Sequence, residues 1–278
     1  MLQTSISRKR DKTKDIACPT LTTKTEPAPR LTVRKIGIVS RDYTKYANGV
    51  RDFSSVFHDV LSLLDDEGCD TVLFSPWSID ARQSRRPSAR LSEVKSVLYE
   101  TFKEGKNRKG KEFVVFYRTG NNWHRHVLGG RSGFASLKGL PKRRVEKFVE
   151  DVKQHRILGN CCVLICGESN GVPYHQNTGR VGDDFGLRRS IPEKTVILNP
   201  VHDWMSRFEM NLKRRFLSEN NRWVISVWNK GKRGTNGKPR DAKGDPWTVF
   251  HDGRDEIADK PKKNQLGVDI GIVKIGSV

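Results

Sequence analysis

One cysteine in this chain stands where a nucleophile would be placed. Cys161-Cys162-Val163-Leu164-Ile165 is a short apolar run that ends on Cys166-Gly167-Glu168-Ser169-Asn170. A run of this length, bounded by a glycine and polar residues, reads as a buried strand. Its last thiol is lifted onto a tight turn, where backbone N–H groups lower a thiol's pKa and can bind a developing oxyanion. The chemistry on offer is attack on an electrophilic carbon. That chemistry needs a base for the thiol proton and a donor or cation for the charge that develops. Cys161 and Cys162 lie inside the strand and read as packing.

The partners of such a thiol must come from elsewhere. His175 follows it by nine residues and would make a Cys–His pair if the intervening loop returns. His124 and His126 are two apart, on one side of a strand, but no carboxylate accompanies them, so no metal site is expected. The five cysteines, Cys18, Cys69, Cys161, Cys162 and Cys166, form no Cys-x-x-Cys pair. Gly179 to Arg189 is Gly-rich but lacks the Gly-Lys-Ser/Thr ending of a phosphate loop. Lys230 to Lys243 (KGKRGTNGKPRDAK) reads as a solvated basic flap, with contact to nucleic acid or an acidic substrate as the other reading. No cofactor is expected.

The elements that position the thiol alternate. Val33 to Ser40, Thr71 to Phe74, Phe113 to Tyr117, Cys161 to Ile165, Thr195 to Leu198, Trp223 to Trp228, Pro246 to His251 and Gly267 to Lys274 read as strands. Helical spacing is read in Asn48 to Leu64, closed by Gly68, and in Leu91 to Phe102, Lys142 to Val152 and Trp204 to Asn220. In the last of these Met205, Phe208, Leu212, Phe216 and Leu217 are expected to face inward. Short strands that are apolar throughout suit burial on both faces, hence an α/β architecture with helices outside. Strand ends in such sheets are where active sites gather. Phe74-Ser75-Pro76-Trp77, Cys166-Gly167-Glu168 and Leu198-Asn199-Pro200 stand out.

The 278 residues carry 52 Lys and Arg against 32 Asp and Glu, a net charge of +20. A surface this basic favours nucleic acid or another polyanion as partner, or simply reflects a basic soluble enzyme. Residues 1–30, rich in Thr, Ser, Lys and Pro, read as a disordered basic tail, and 31–278 as one domain. An odd number of cysteines and a polar N-terminus point to reduced thiols in a cytoplasm. No run approaches the roughly 18 apolar residues of a membrane span.

The order of these pieces resembles the carbon–nitrogen hydrolase (nitrilase) superfamily, from about residue 33 onward. Val163-Leu164-Ile165-Cys166-Gly167-Glu168 is similar to that family's strand ending in a nucleophilic Cys, an aromatic and an acid. Val196-Ile197-Leu198-Asn199-Pro200 is similar to the strand that follows. Arg215 to Gly231 resembles a helix ending in Glu-Asn and then a strand ending in Asn-x-Gly. Trp247 to Arg254 resembles a hairpin, and Gly267-Val268-Asp269-Ile270 the final strand. The resemblance implies a four-layer αββα sandwich, usually paired into a homodimer, and a Glu–Lys–Cys triad. In that triad the Cys attacks an amide or nitrile carbon, the Lys stabilises the tetrahedral intermediate, and water hydrolyses a thioester.

The triad is incomplete in this sequence. Trp77 occupies the position of the Glu base, and Trp cannot take a proton. Asp80, three residues on, would substitute if the loop folds back. Lys138 and Lys142 are the candidates for the lysine, with Lys142 preferred. Gly167 replaces an aromatic and opens space above the thiol; with Glu168, Trp77 and Asn199 it is expected to contact substrate. Two readings follow: an amidase-like hydrolase using Cys166, or a nitrilase-fold protein that lost the reaction and binds nucleic acid or another polyanion.

Overall fold

The structure, a computed structural model, describes residues 28–43, 53–83, 85–102, 112–128, 140–202, 208–231, 244–262, 264 and 266–276. Most of the tail, Cys18, Lys138, residues 48–52 and most of the basic flap lie outside these.

Among the described residues two large sheets are formed, beside one two-stranded sheet. The first contains β1 (Lys35–Ser40), β2 (Thr71–Phe74), β3 (Ile79–Asp80), β4 (Ser96–Phe102), β5 (Phe113–Thr119) and β6 (Asn122–Val127), with the last strand of the chain, Asp269–Lys274, on its far edge. The second contains β7 (Ile157–Leu158), β8 (Cys161–Val163), then β11 (Val196–Val201), β12 (Trp223–Trp228), β13 (Trp247–His251) and β14 (Arg254–Glu256). Between β8 and β11 lies a small hairpin of β9 (Tyr174–His175) and β10 (Arg180–Val181), and β15 is Asp269–Lys274. The orders are β15-β1-β2-β4-β5-β6 and β14-β13-β12-β11-β8-β7. At the centre of each sheet three strands run parallel, β1-β2-β4 and β8-β11-β12.

Three apolar clusters define the layers. Ile36, Ile38, Leu73, Leu98, Cys161, Val163, Leu198 and Ile225 pack between the two sheets. On the outer face of the first sheet, Val39, Val72, Val97 and Tyr99 pack against Phe57, Val60, Leu61 and Leu64 of α1 (Phe57–Asp66). On the outer face of the second, Cys162, Ile197, Val224 and Phe250 pack against α2 (Lys142–Asp151) and Leu217 of α4 (Phe208–Ser218). The short α3 (Leu187–Ser190) adds Leu187 to that layer. The result is an αββα sandwich. Successive strand residues point to opposite faces, so each strand needs apolar side chains on both, which explains the unbroken apolar runs.

The sequence expectation fails at two elements. Leu91 to Phe102 is not a helix: Ser96–Phe102 is β4, buried along its whole length. A contiguous apolar run fits a buried strand or helix equally, and the aromatic and β-branched residues here decide for the strand. On α4 the buried stripe is Met210, Lys213, Arg214 and Leu217, while Phe208 is 72% exposed. The helix is rotated from the face its aromatics suggested, and a guanidinium occupies a core position.

At the C-terminal ends of the parallel strands the inter-sheet layer turns polar. Ser40 Oγ donates to the Trp228 carbonyl. Asn229 Oδ1 accepts from the Arg41 N–H at 3.0 Å and from Ser75 Oγ at 2.7 Å, and its Nδ2 donates to the Pro76 carbonyl at 3.0 Å. These bonds join the ends of β1 and β2 to the end of β12, across the sandwich.

Candidate active site

Period-two geometry places the next pair. On β4, Leu98 faces the other sheet, so Glu100 does too. On β11, Val196 and Leu198 face inward; continuing the alternation puts His202, just past the strand, on the same side. Both lie at C-terminal strand ends of facing sheets, and they meet: His202 Nε2 contacts Glu100 Oε2. Both side chains are almost fully buried.

Cys166 completes the group. Alternation along β8 would aim it at the outer helices, as it does Cys162 and Leu164. Its backbone instead has φ of 53°, the left-handed region, and its side chain packs against the inter-sheet core. A non-glycine residue held there is strained, a feature that clusters at functional sites. The thiol hydrogen-bonds the His202 ring. Burial lowers the imidazole's pKa, but the hydrogen bonds to Cys166 and Glu100 and their negative charge outweigh it, and the net shift is upward. The site therefore favours imidazolium.

The remaining thiols are different. Burial pushes Cys69 and Cys161 up to about 12 and Cys162 well above its ordinary value. They are protonated packing groups at neutral pH.

Several residues hold the cysteine turn. Asn199 Nδ2 donates to the carbonyls of Leu164 at 2.6 Å and Cys166 at 3.2 Å, and its Oδ1 accepts from Ser226 Oγ at 3.1 Å. Glu168 is buried beneath the turn, where Oε2 accepts from the Ile165 N–H at 2.6 Å and Oε1 lies 3.7 Å from Arg156 Nη2. Lys213 reaches from α4 to Asn170 Oδ1 at 2.8 Å and Glu209 Oε1 at 2.7 Å. Gly167 is buried in the same turn. Thus Glu168 and Asn199, expected from sequence to contact substrate, hydrogen-bond the backbone of the Cys166 turn.

Trp77, also at positive φ (58°), stacks obliquely on His202 with ring centroids 4.7 Å apart. It walls the imidazole. Asp80 is paired with Arg82 at 2.5 Å, and that guanidinium holds its carboxyl below the ordinary range. Lys142 lies on the exposed side of α2, 3.6 Å from Glu146. Asp80 is thus held by Arg82 and Lys142 by Glu146, and Lys138 lies outside the described residues. His175 pairs with Asp184 at 3.2 Å in the β9–β10 hairpin. His124 stacks on Tyr117. Among the described residues no cluster of three or more metal-ligating side chains occurs.

Arg214 is a cation on the buried stripe of α4. Its side chain is completely buried, Nη1 donates to Thr248 Oγ1 at 3.0 Å, and the guanidinium lies 5.6 Å from the Trp228 ring centroid. Burial pulls its pKa down to about 9, opposed by the charge of Cys166, and it stays charged at neutral pH.

Sequence reading missed His202, Glu100 and Arg214. Ending the strand at Leu198 left His202 unplaced, and reading 91–102 as a helix hid Glu100. The available signal was polarity in apolar surroundings: one acid within Val97-Leu98-Tyr99-Glu100, and an arginine four residues after Met210 and three before Leu217, on the buried stripe.

Fold and site define an αββα sandwich with a thiol, an imidazole and a carboxylate in contact at its strand ends. Solved structures of similar outline include an amidase from Nesterenkonia sp. (8% identity, 89% of this chain and 92% of that one, TM-score 0.43). A mutant of the amidase from Nesterenkonia sp. AN1, carrying the acetamide moiety of fluoroacetamide on its active-site cysteine, gives 12%, 90%, 93% and 0.47. Saccharomyces cerevisiae Nit3, a member of branch 10 of the nitrilase superfamily, gives 11%, 90%, 93% and 0.43. No protein-family model and no curated protein matches the sequence.

Proposed function

We propose that this protein is a divergent nitrilase-like thiol hydrolase acting at an amide C–N bond, with a Cys–His–Glu constellation in place of Glu–Lys–Cys. The observation that carries this reading is the contact of Cys166 with His202 and of His202 with buried Glu100. Glu100 holds Nε2, and the thiol proton goes to the His202 imidazole. The sulfur attacks the acyl carbon; an S–C bond forms and the carbonyl π pair moves to oxygen. The tetrahedral adduct collapses as the imidazolium gives its proton to the leaving amine, breaking the C–N bond. Water, deprotonated by the same imidazole, then hydrolyses the thioester.

Trp77 standing where a Glu base would be motivated the reading as an inactive binding protein. His202 supplies the missing base from another strand, which favours the enzyme. Incubation with p-nitrophenyl acetate and a panel of primary amides, followed by peptide mass mapping, tests the proposal. One acyl group on Cys166, turning over with water and lost in Cys166→Ala, is the expected result. No acylation of Cys166 by any donor would return the protein to the binding reading.

A further inference from the structure

The ladder between β8 and β11 stops at Asn199-Pro200. Val196 stands opposite Cys161 and Leu198 opposite Val163, and beyond them the Leu164 N–H donates to the Leu198 carbonyl at 3.0 Å. The next bond of a parallel ladder would bring the N–H of residue 200 to the Leu164 carbonyl. Residue 200 is proline and has no N–H to give. A side chain meets that carbonyl instead: Asn199 Nδ2 donates to it at 2.6 Å, and to the Cys166 carbonyl at 3.2 Å. Asn199 Oδ1 accepts from the hydroxyl of Ser226, its register partner on β12, at 3.1 Å. Both side chains are buried. Two carbonyl acceptors and one hydroxyl donor leave the amide a single orientation.

Two bonds from one nitrogen restrict the chain between their acceptors. In an extended strand, carbonyls two residues apart repeat at roughly 6.6 Å, farther than a single nitrogen at 2.6 and 3.2 Å from them can span. The backbone must contract between Leu164 and Cys166. Ile165 is extended, with φ −86° and ψ 123°, so the contraction falls on Cys166 and its φ of 53°. We propose that Asn199, oriented by Ser226, is a positioning residue of the nucleophile: it clamps the left-handed turn that takes the Cys166 thiol from the helix side of the second sheet to the inter-sheet side, where His202 stands. The inference rests on the thiol reading above and adds to it what keeps the thiol within reach of its base.

Local preference opposes this geometry. The left-handed region crowds the Cβ of any L-residue against its own backbone, and strand alternation would return Cys166 to the side of Cys162 and Leu164. Glu168 holds the Ile165 N–H and Lys213 holds the Asn170 side chain, whereas Asn199 grips Cys166 by its own carbonyl. The clamp also rides on the strand that carries the base. Asn199 follows the alternation of Ile197 to the helix side, and His202, three residues on, continues that of Leu198 to the inter-sheet side. One segment of chain thus fixes the cysteine turn from one face of the sheet and meets its sulfur on the other.

The test is the rate of iodoacetamide alkylation of Cys166 against pH, measured by peptide mass mapping on the full chain, with buried Cys69 as the reference for folding. No substrate is required. In wild type the rate is expected to reach its plateau below the ordinary thiol range. In Asn199→Ala the midpoint is expected to move up by at least one pH unit, with at least a tenfold lower rate at pH 7, while Cys69 labels as slowly as in wild type. Ser226→Ala should move the midpoint in the same direction by less, and Ser226→Thr, which keeps the hydroxyl, should restore it. If Asn199→Ala does not fold, Cys69 labels as fast as Cys166 and the two Ser226 variants make the comparison with Asn199 in place. A midpoint that stays put in every alanine variant that folds overturns the inference while leaving the Cys–His–Glu reading standing. An equal shift in Ser226→Ala and Ser226→Thr also overturns it, since that is what a packing role produces. A wild-type Cys166 no more reactive than Cys161 instead overturns the underlying enzyme reading.

Discussion

His202 joins the two halves of the site, since its ring touches both the thiol and the carboxylate. Replacing it with Asn keeps a polar group of similar reach but removes the base. Acylation of Cys166 in His202→Asn is expected to slow by about 10²–10⁴-fold, the usual span for a lost general base. Glu100→Gln leaves the imidazolium without its counter-charge; the raised His202 pKa should fall, and with it alkylation of Cys166 at pH 7. The same shift predicts a stability effect. A histidine whose folded pKa exceeds its ordinary 6.5 contributes stability that is fully present below about 6.5 and is lost as pH rises through the folded value. Denaturant midpoints of wild type should therefore decline across that window, and those of His202→Asn should not. A rising wild-type midpoint there would contradict the assignment. At this scale the sequence showed where the proposed nucleophile sits, because a cysteine closing an apolar strand is a local pattern. The proposed base, His202, is 36 residues away, and only the fold brings it close.

Elements do the positioning, chiefly at two places. Asn229, just after β12, spends both ends of its amide on the opposite sheet. Asn229→Ala should destabilise the protein by about 1–3 kcal/mol, read from denaturant midpoints, because it leaves the Arg41 N–H and Ser75 hydroxyl to find other partners. It should also weaken turnover by loosening the register of β2 and β4 against β11. Gly159, at φ 68° between β7 and β8, lies so close to the Leu31 carbonyl that a Cβ would collide with backbone. Gly159→Ala is expected to cost more than the ~1 kcal/mol typical of a glycine at positive φ, and an unchanged midpoint would show that the Leu31 segment is not fixed there. Most strands and three helices were legible as apolar periodicity. β4 was not, since continuous burial erases the period that separates strand from helix. The orientation of α4 was misread because its core position holds Arg214, a residue that pattern reading assigns to solvent.

For the whole molecule, two sheets present the ends of three parallel strands each to one shared polar layer. Each sheet supplies what the other lacks: the second carries Cys166 and His202, the first Glu100 and Trp77. Opening the sandwich would therefore abolish the site even with every helix intact. No helix among the described residues is long and apolar enough to cross a membrane. The net charge of +20 acts at this scale and not within the site. It is expected to give sequence-independent binding to single- or double-stranded nucleic acid at low salt that weakens steeply by physiological ionic strength, measurable by fluorescence anisotropy. Binding that survives 0.5 M salt would instead point to a dedicated site on the surface.

The central claim is that Cys166 is an activated thiol set by His202. Peptide-level iodoacetamide labelling at neutral pH, comparing wild type with His202→Asn, tests it most directly. The account predicts that Cys166 labels at least tenfold faster than Cys69, Cys161 and Cys162 in wild type and loses that advantage in His202→Asn. Equal, slow labelling of all four thiols in wild type, or a Cys166 rate indifferent to His202→Asn, would contradict it.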